Sequence, residues 1–306
     1  MKKALFLSVL SSFLFAFTFI INRSMNLGGG YWLWNSPLRY LSTLPMMAAI
    51  VALRSIKTWK SARKGIDLVI DAIKENPLEW VLWSTVGFGL FYLPLTLGSV
   101  YGESWLTASC WEITIVVGVL LTPLFGKKIP IRNLLLSGII VIGVFVIQIP
   151  NMTTNNMMTN VYAFIPILVA AFSYPLGNRK MMQICPSELD TMQRILGMLI
   201  CSTPFWIIVA IIAAITGGAP TGGQIVQSIA VAIFSGIIAT TLFFRATDIV
   251  KNNPKQLAVI EAAQCGEVIF TLLGGVVLLH DAIPTTFGVV GMLLIIIGMV
   301  VNSLCT

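Results

Sequence analysis

Residues 102–126 read GESWLTASCWEITIVVGVLLTPLFG, and residues 256–279 read QLAVIEAAQCGEVIFTLLGGVVLL. Each stretch is apolar and long enough to cross a bilayer, which takes about 20 residues. Each carries an acid well inside it, Glu112 in the first and Glu267 in the second. The two acids stand 155 positions apart, about half the chain. A charge in hydrocarbon costs on the order of 3 kcal/mol or more, so acids in such places mark function or a buried partner.

The rest of the chain matches these two stretches. It has 306 residues, 57% hydrophobic and 10% charged, with a mean hydropathy of +0.91. A soluble domain carries roughly 25% charged residues, so this chain needs a bilayer as solvent. Ten apolar segments are expected to span it: 4–25, 31–53, 78–98, 104–125, 131–150, 158–178, 190–215, 224–247, 256–279 and 284–304. They leave no room for a soluble catalytic domain.

The net charge of +7 does not indicate nucleic acid, because the basic residues lie in short connections between apolar segments. With the N-terminus inside, every inner connection is basic: Arg54, Lys57, Lys60, Arg63, Lys64 and Lys74; then Lys127, Lys128 and Arg132; then Arg179 and Lys180; then Arg245, Lys251 and Lys255. The outer connections hold no Lys or Arg, and Arg23 sits just within the outer end of the first span. This asymmetry predicts a multi-pass protein of the cell membrane with both termini cytoplasmic. The N-terminal MKKALFLSVLSSFLFAFTFII resembles a signal peptide, but its apolar run is too long and reads as a first span.

Between the second and third spans, Ile66, Val69, Ile70 and Ile73 recur at helical spacing opposite charged residues. That pattern predicts a helix over about 61–77 lying on the cytoplasmic interface. Trp32, Trp34, Trp80, Trp83 and Trp105 fall near span ends, as interfacial anchors do. Pro45, Pro94 and Pro204 lie within spans and predict kinks.

Asn-Arg-x-Met occurs at 22–25 and again at 178–181. Arg39 and Arg194 open the second and seventh spans, and KKIP (127–130) and DAIP (281–284) precede the fifth and tenth. With the two glutamates, these markers keep their order and nearly one offset, which predicts an internal repeat of residues 1–153 and 154–306. Five spans per repeat is an odd number, so the second half runs through the membrane inverted. Inverted repeats place a site near the midplane between the halves and allow alternating access. The expected fold is an all-α integral membrane protein of ten transmembrane helices in two inverted five-helix repeats. Such a pattern points to a transporter.

In these features the chain resembles the drug/metabolite transporter superfamily, ten-span and EamA-like, and within it the multidrug resistance efflux transporters. The resemblance covers nearly the whole chain. It implies secondary transport and is broad in substrate, from drugs to amino acids, sugars and nucleotide conjugates. The small four-span exporters of this superfamily use a glutamate in their first span. Here Asn22 and Asn178 stand in the first and sixth, so that chemistry does not carry over by position.

Several residues are candidates for binding substrate or protons. A membrane-embedded carboxyl at Glu112 or Glu267 can hold a proton in one state and a cationic substrate in another; alternatively each locks helices through an arginine. Gln264, three residues from both Glu261 and Glu267, is placed to bridge them; Glu261 could instead cap an inner gate near Lys255 or Arg245. Arg39 and Arg194 read as partners of the glutamates, as clamps on an anionic substrate, or as snorkelling side chains. Asn22 and Asn178 could join helices or line a cavity. Trp111, Tyr40, Tyr92 and Tyr174, with Phe88 and Phe91, could form an aromatic wall for a cation or simply pack. His280 and Asp281 end the ninth span, where a gating role competes with an interfacial one.

The leading expectation is proton-coupled efflux of hydrophobic cations, drugs or metabolites. The alternative is transport of a polar metabolite, an amino acid or small organic anion, bound by Arg39 and Arg194. An enzyme is not expected. There is one histidine, no Walker-type loop and no cysteine spacing for a metal among Cys110, Cys185, Cys201, Cys265 and Cys305. No cofactor is expected. The partners implied are a small-molecule substrate, protons and lipid, with monomer and homodimer both compatible. Asn151-Met-Thr153 matches a glycosylation sequon, relevant only in a secretory compartment.

Overall fold

The computed structural model describes residues 1–59, 61, 63–126, 128–152, 157–250 and 253–304, with backbone alone at 59, 151–152, 157–160, 254–255 and 258. The repeat boundary at 153/154, Thr153 of the sequon, Lys60, Lys127, Lys251 and Cys305 lie outside the described residues, as does the Lys255 side chain. Among the described residues every regular element is helical. Among the described residues nine helices are long and apolar enough to cross a membrane: Lys2–Leu27, Trp32–Thr58, Pro77–Tyr101, Ile131–Pro150, Val161–Ile184, Thr191–Gly217, Gly222–Val250, Val259–Leu279 and Thr286–Leu304. The shorter apolar segment Ser104–Leu120 falls fourth in order and completes ten spans. The expected ten-helix membrane architecture is therefore present.

Local sequence sets the ends. Asp190 and Gln193 form a reciprocal capping box on the seventh span. Thr221 accepts from the Gln224 amide at the start of the eighth. Gly218 adopts φ 73° after the seventh, a conformation open to glycine. Odd-numbered spans run from the face that holds the chain's first residues, here the terminal face, to the opposite or far face.

The packing pairs the spans symmetrically. The first meets the eighth and ninth, and the sixth meets the third and fourth. The second meets the eighth, and the seventh meets the third. Second with seventh, fourth with ninth and fifth with tenth are their own counterparts. The fifth and tenth cross on glycine: a Cβ on Gly143 would stand 2.7 Å from the Gly291 carbonyl oxygen, and one on Gly291 2.6 Å from that of Gly143. Small residues let membrane helices approach this closely.

Four spans are irregular, in matched pairs. The fourth breaks between Ser104–Trp111 and Ile113–Leu120, with Glu112 at the break. The ninth is interrupted by a tight turn at Ala263–Cys265, just before Glu267. The third and eighth each contain a wide π-helical turn, Thr85–Gly89 and Ala232–Ala239. Such turns concentrate at functional positions because they re-aim side chains.

The helix expected on the interface is Lys64–Glu75, and its apolar face docks on protein rather than lipid. Val69 and Ala72 are buried against the second, third and seventh spans, and the Gln193 side chain donates to the Gly65 carbonyl at 3.0 Å. Two tryptophans also depart from the anchor expectation. Trp80 is fully buried against Gly197, and Trp105 is buried with its Nε1 donating to the Ala282 carbonyl at 3.0 Å.

Candidate functional site

A cavity of about 330 Å³ lies between the halves, within the range of small-molecule sites. Every span but the fifth and tenth contributes to its wall. Of the expected residues, Glu267, Gln264, Arg39, Arg194, Asn178, Trp111, Tyr40 and Tyr174 line it, whereas Glu112, Glu261, Asn22 and Tyr92 do not. The π-helical turns supply Phe88 on one side and Ser235 and Gly236 on the other.

Glu267 lies in the first turn of the half-helix Gly266–Leu279, and Glu112 begins the half-helix Ile113–Leu120. Each carboxyl therefore stands at the start of a half-helix, the end of the helix dipole that favours negative charge. Glu112 is buried, and it stands near enough to Glu267 for their charges to interact.

Glu261 is exposed and away from the cavity, so the expected bridge through Gln264 is not made. The Gln264 amide donates instead to the Ser8 carbonyl at 3.1 Å and the Ser8 hydroxyl at 2.7 Å. The cause is the tight turn at Ala263–Cys265. It gains angle on the regular helix and swings Gln264 toward the first span.

Among the described residues Arg39 and Arg194 form no ion pair with either glutamate; ion pairs elsewhere include Arg23–Asp281, Arg54–Asp190 and Lys74–Asp71. The Arg39 guanidinium lies 4.0 Å above the Tyr92 ring, and its Nη1 is buried without a hydrogen bond. Tyr92 is fully buried and accepts from Asn22 Nδ2 at 2.8 Å. Asn22 is thus helix-joining, while its counterpart Asn178 lines the cavity and bonds the Tyr174 carbonyl of its own helix at 2.9 Å.

The walls are aromatic. Tyr40 stacks on Trp206 at 4.5 Å, and Phe91, Trp111 and Tyr174 touch one another with centroids 4.8–5.5 Å apart. The sequence reading omitted Trp206 and the hydroxyls of Thr18, Thr43 and Ser235, the last two of which, with Thr18, line the cavity. Thr18 precedes Asn22 by four and Thr43 follows Arg39 by four, so both share a helix face with a marked residue. Trp206 carried no such signal.

The far end above the cavity is closed. Asp281 Oδ2 accepts from the Ser104 amide at 2.9 Å and the Ser104 hydroxyl at 2.5 Å, and Oδ1 lies 3.7 Å from Arg23 Nε. Arg23 also donates to the Val100 carbonyl at 3.0 Å. Arg23 is therefore held by protein rather than snorkelling. Gln224 donates to Asn35 and to the Tyr31 carbonyl nearby, and Ser36 meets Thr96. His280 is exposed, with φ 57°, and ends the ninth helix. Toward the terminal face, lining residues are open: Tyr174 is 40% exposed, and Asn178 and Arg194 are half-buried.

Residues 2–306 match the family model EmrE, described as "Putative multidrug resistance efflux transporter". The chain belongs to this family. It is 44% identical over 314 residues to "Uncharacterized protein YjlA" of Bacillus subtilis (strain 168), covering 98% of this chain and 94% of that protein. It is 41% identical over 277 residues to the "Uncharacterized 42.1 kDa protein in intracellular alkaline protease 3'region" of Shouchella clausii, covering 87% and 70%. As a member of the EmrE family the chain is of a membrane-transporter type, with a small molecule as substrate and the bilayer as solvent.

Proposed function

We propose that this chain is a proton-coupled secondary transporter that exports a small amphipathic molecule by alternating access. The observation that carries this is the carboxyl pair. Glu267 faces the cavity, Glu112 is buried within its electrostatic reach, and each begins a half-helix. Broken helices meeting at the midplane between inverted halves are the usual setting of a transport site. A proton on this pair and a substrate in the cavity compete for one volume, which couples their movements.

Alternating access has a structural basis in the paired contacts of the two halves. With the far face closed and the terminal face partly open, substrate reaches the cavity from the terminal side. The basic residues of the terminal-side connections support a cytoplasmic side there, in a chain that spans the plasma membrane. Movement outward is then efflux. One chain contains both halves and suffices as the transporting unit.

The test is purified protein in liposomes with a trapped pH dye. Added substrates, drawn from lipophilic cations, amino acids and organic anions, should drive proton movement. Glu267→Gln and Glu112→Gln should each abolish it while the protein remains monodisperse. Undiminished proton flux in both variants would sink the coupling role of the pair.

A further inference from the structure

Two guanidiniums line the cavity without an ion pair to a carboxylate. Arg39 rests on the Tyr92 ring with Nη1 buried and unbonded. The Arg194 guanidinium makes no ion pair or hydrogen bond among the described residues and lines the same cavity. Tyr174 lies within electrostatic reach of both arginines and of Glu267, so these charges share one space. A guanidinium keeps its proton in proteins, and it matches a carboxylate with a planar fork of donors. Leaving the buried Arg39 donor unpaired is costly, so its missing partner is expected to arrive with the ligand, while Arg194 stands half-buried and unpaired toward the terminal side.

The lining charge decides between substrate classes. The cavity offers two fixed positive groups and one carboxyl, with Glu112 buried outside the wall. A simple lipophilic cation would meet net repulsion. An amphipathic anion would find a guanidinium toward either end and aromatic faces between them. Arg39 lies near the far end of the second span and Arg194 near the terminal end of the seventh, in matched places of the repeat.

We infer that the substrate carries a carboxylate or equivalent anionic group on a planar apolar body, and that Arg39 and Arg194 bind that group. This rests on the central cavity being the transport site and is independent of what couples transport to protons.

The test is direct binding, read by intrinsic tryptophan fluorescence of the purified protein in detergent, where no proton gradient exists. The probes share one ring: phenylacetate, phenylalanine and phenylethylammonium, with inorganic phosphate as a ringless anion. Phenylacetate and phenylalanine should saturate, and phenylethylammonium and phosphate should not. Arg39→Gln and Arg194→Gln should each weaken phenylacetate by about tenfold or more, the scale of a lost charged hydrogen bond. Arg39→Lys should recover part of the loss, and the double glutamine variant should begin to bind phenylethylammonium. Thermal melting of each variant separates lost binding from lost folding. Binding of phenylethylammonium by the unaltered protein, phosphate binding without phenylacetate binding, or phenylacetate binding unchanged in both single variants would overturn the inference. Carboxylate binding with no accompanying proton flux in liposomes would retire the coupling proposal and leave this one standing.

Discussion

A methyl group on Gly177 would come within 2.3 Å of the Gly87 Cα, where the sixth span crosses the π-helical turn of the third. No side chain fits that gap, and the contact is backbone, which cannot give way. Overpacking of this kind costs about 1–3 kcal/mol or more. Gly177→Leu should therefore lower the melting temperature in detergent and disturb Asn178, its cavity-lining neighbour. Gly138→Leu should be near neutral, because nothing lies within 4 Å of its added Cβ. Equal melting of both variants would show that the third and sixth spans do not rely on this approach. At this scale the sequence was legible where a residue broke its surroundings. Glu267, Arg39 and Arg194 were marked by charge in apolar runs, and all three reach the cavity. It was illegible where ordinary residues act by position. Trp206 looks like any core aromatic until Tyr40 is found stacked on it. Asp281 looks interfacial until Ser104 and Arg23 are found around it.

Helices were more legible than their irregularities. Hydropathy and length locate the ten spans because every buried backbone group in a bilayer must be bonded within its own helix. The breaks at Glu112 and Ala263–Cys265 and the π-helical turns carry no comparable signature, since each arises from how neighbours pack. The helix Lys64–Glu75 shows the same limit. Its amphipathic pattern is real, but a pattern says only that one face is covered, not by what. The covering surface is the second, third and seventh spans, with Val69 fully buried. Val69→Ser should free the helix from that surface at a cost of about 1–3 kcal/mol. Trypsin should then cut faster at Arg63, Lys64 or Lys74, all of them exposed. An unchanged cleavage rate in detergent would mean that Val69 is not what holds the helix.

The molecule as a whole is symmetric in its contacts and asymmetric in its closure. The span pairings of the first five helices recur among the last five. Which end stands closed was not foreshadowed, because both ends draw on similar residue types. The difference lies in ion pairing. At the far face Arg23 faces Asp281, itself bonded twice to Ser104. Its repeat counterpart Arg179 donates to the Gly118 carbonyl at 2.6 Å and stands over the Phe125 ring, with no acid opposite it among the described residues. Hydrogen bonds to a charged group are worth about 1.5–3 kcal/mol each, so the Asp281 cluster biases the molecule toward the far-closed state. A state can be populated only by changing such differences. Asp281→Ala should raise the population open at the far face. Hydrogen exchange then reads the change: amides of residues 99–107 and of 23–36 should exchange about tenfold faster or more, together, while the fifth and tenth spans keep their protection. Acceleration confined to 280–285 would make Asp281 a brace for its own loop, and the closure of the far face would have to be sought in the Asn35, Gln224 and Tyr31 contacts instead.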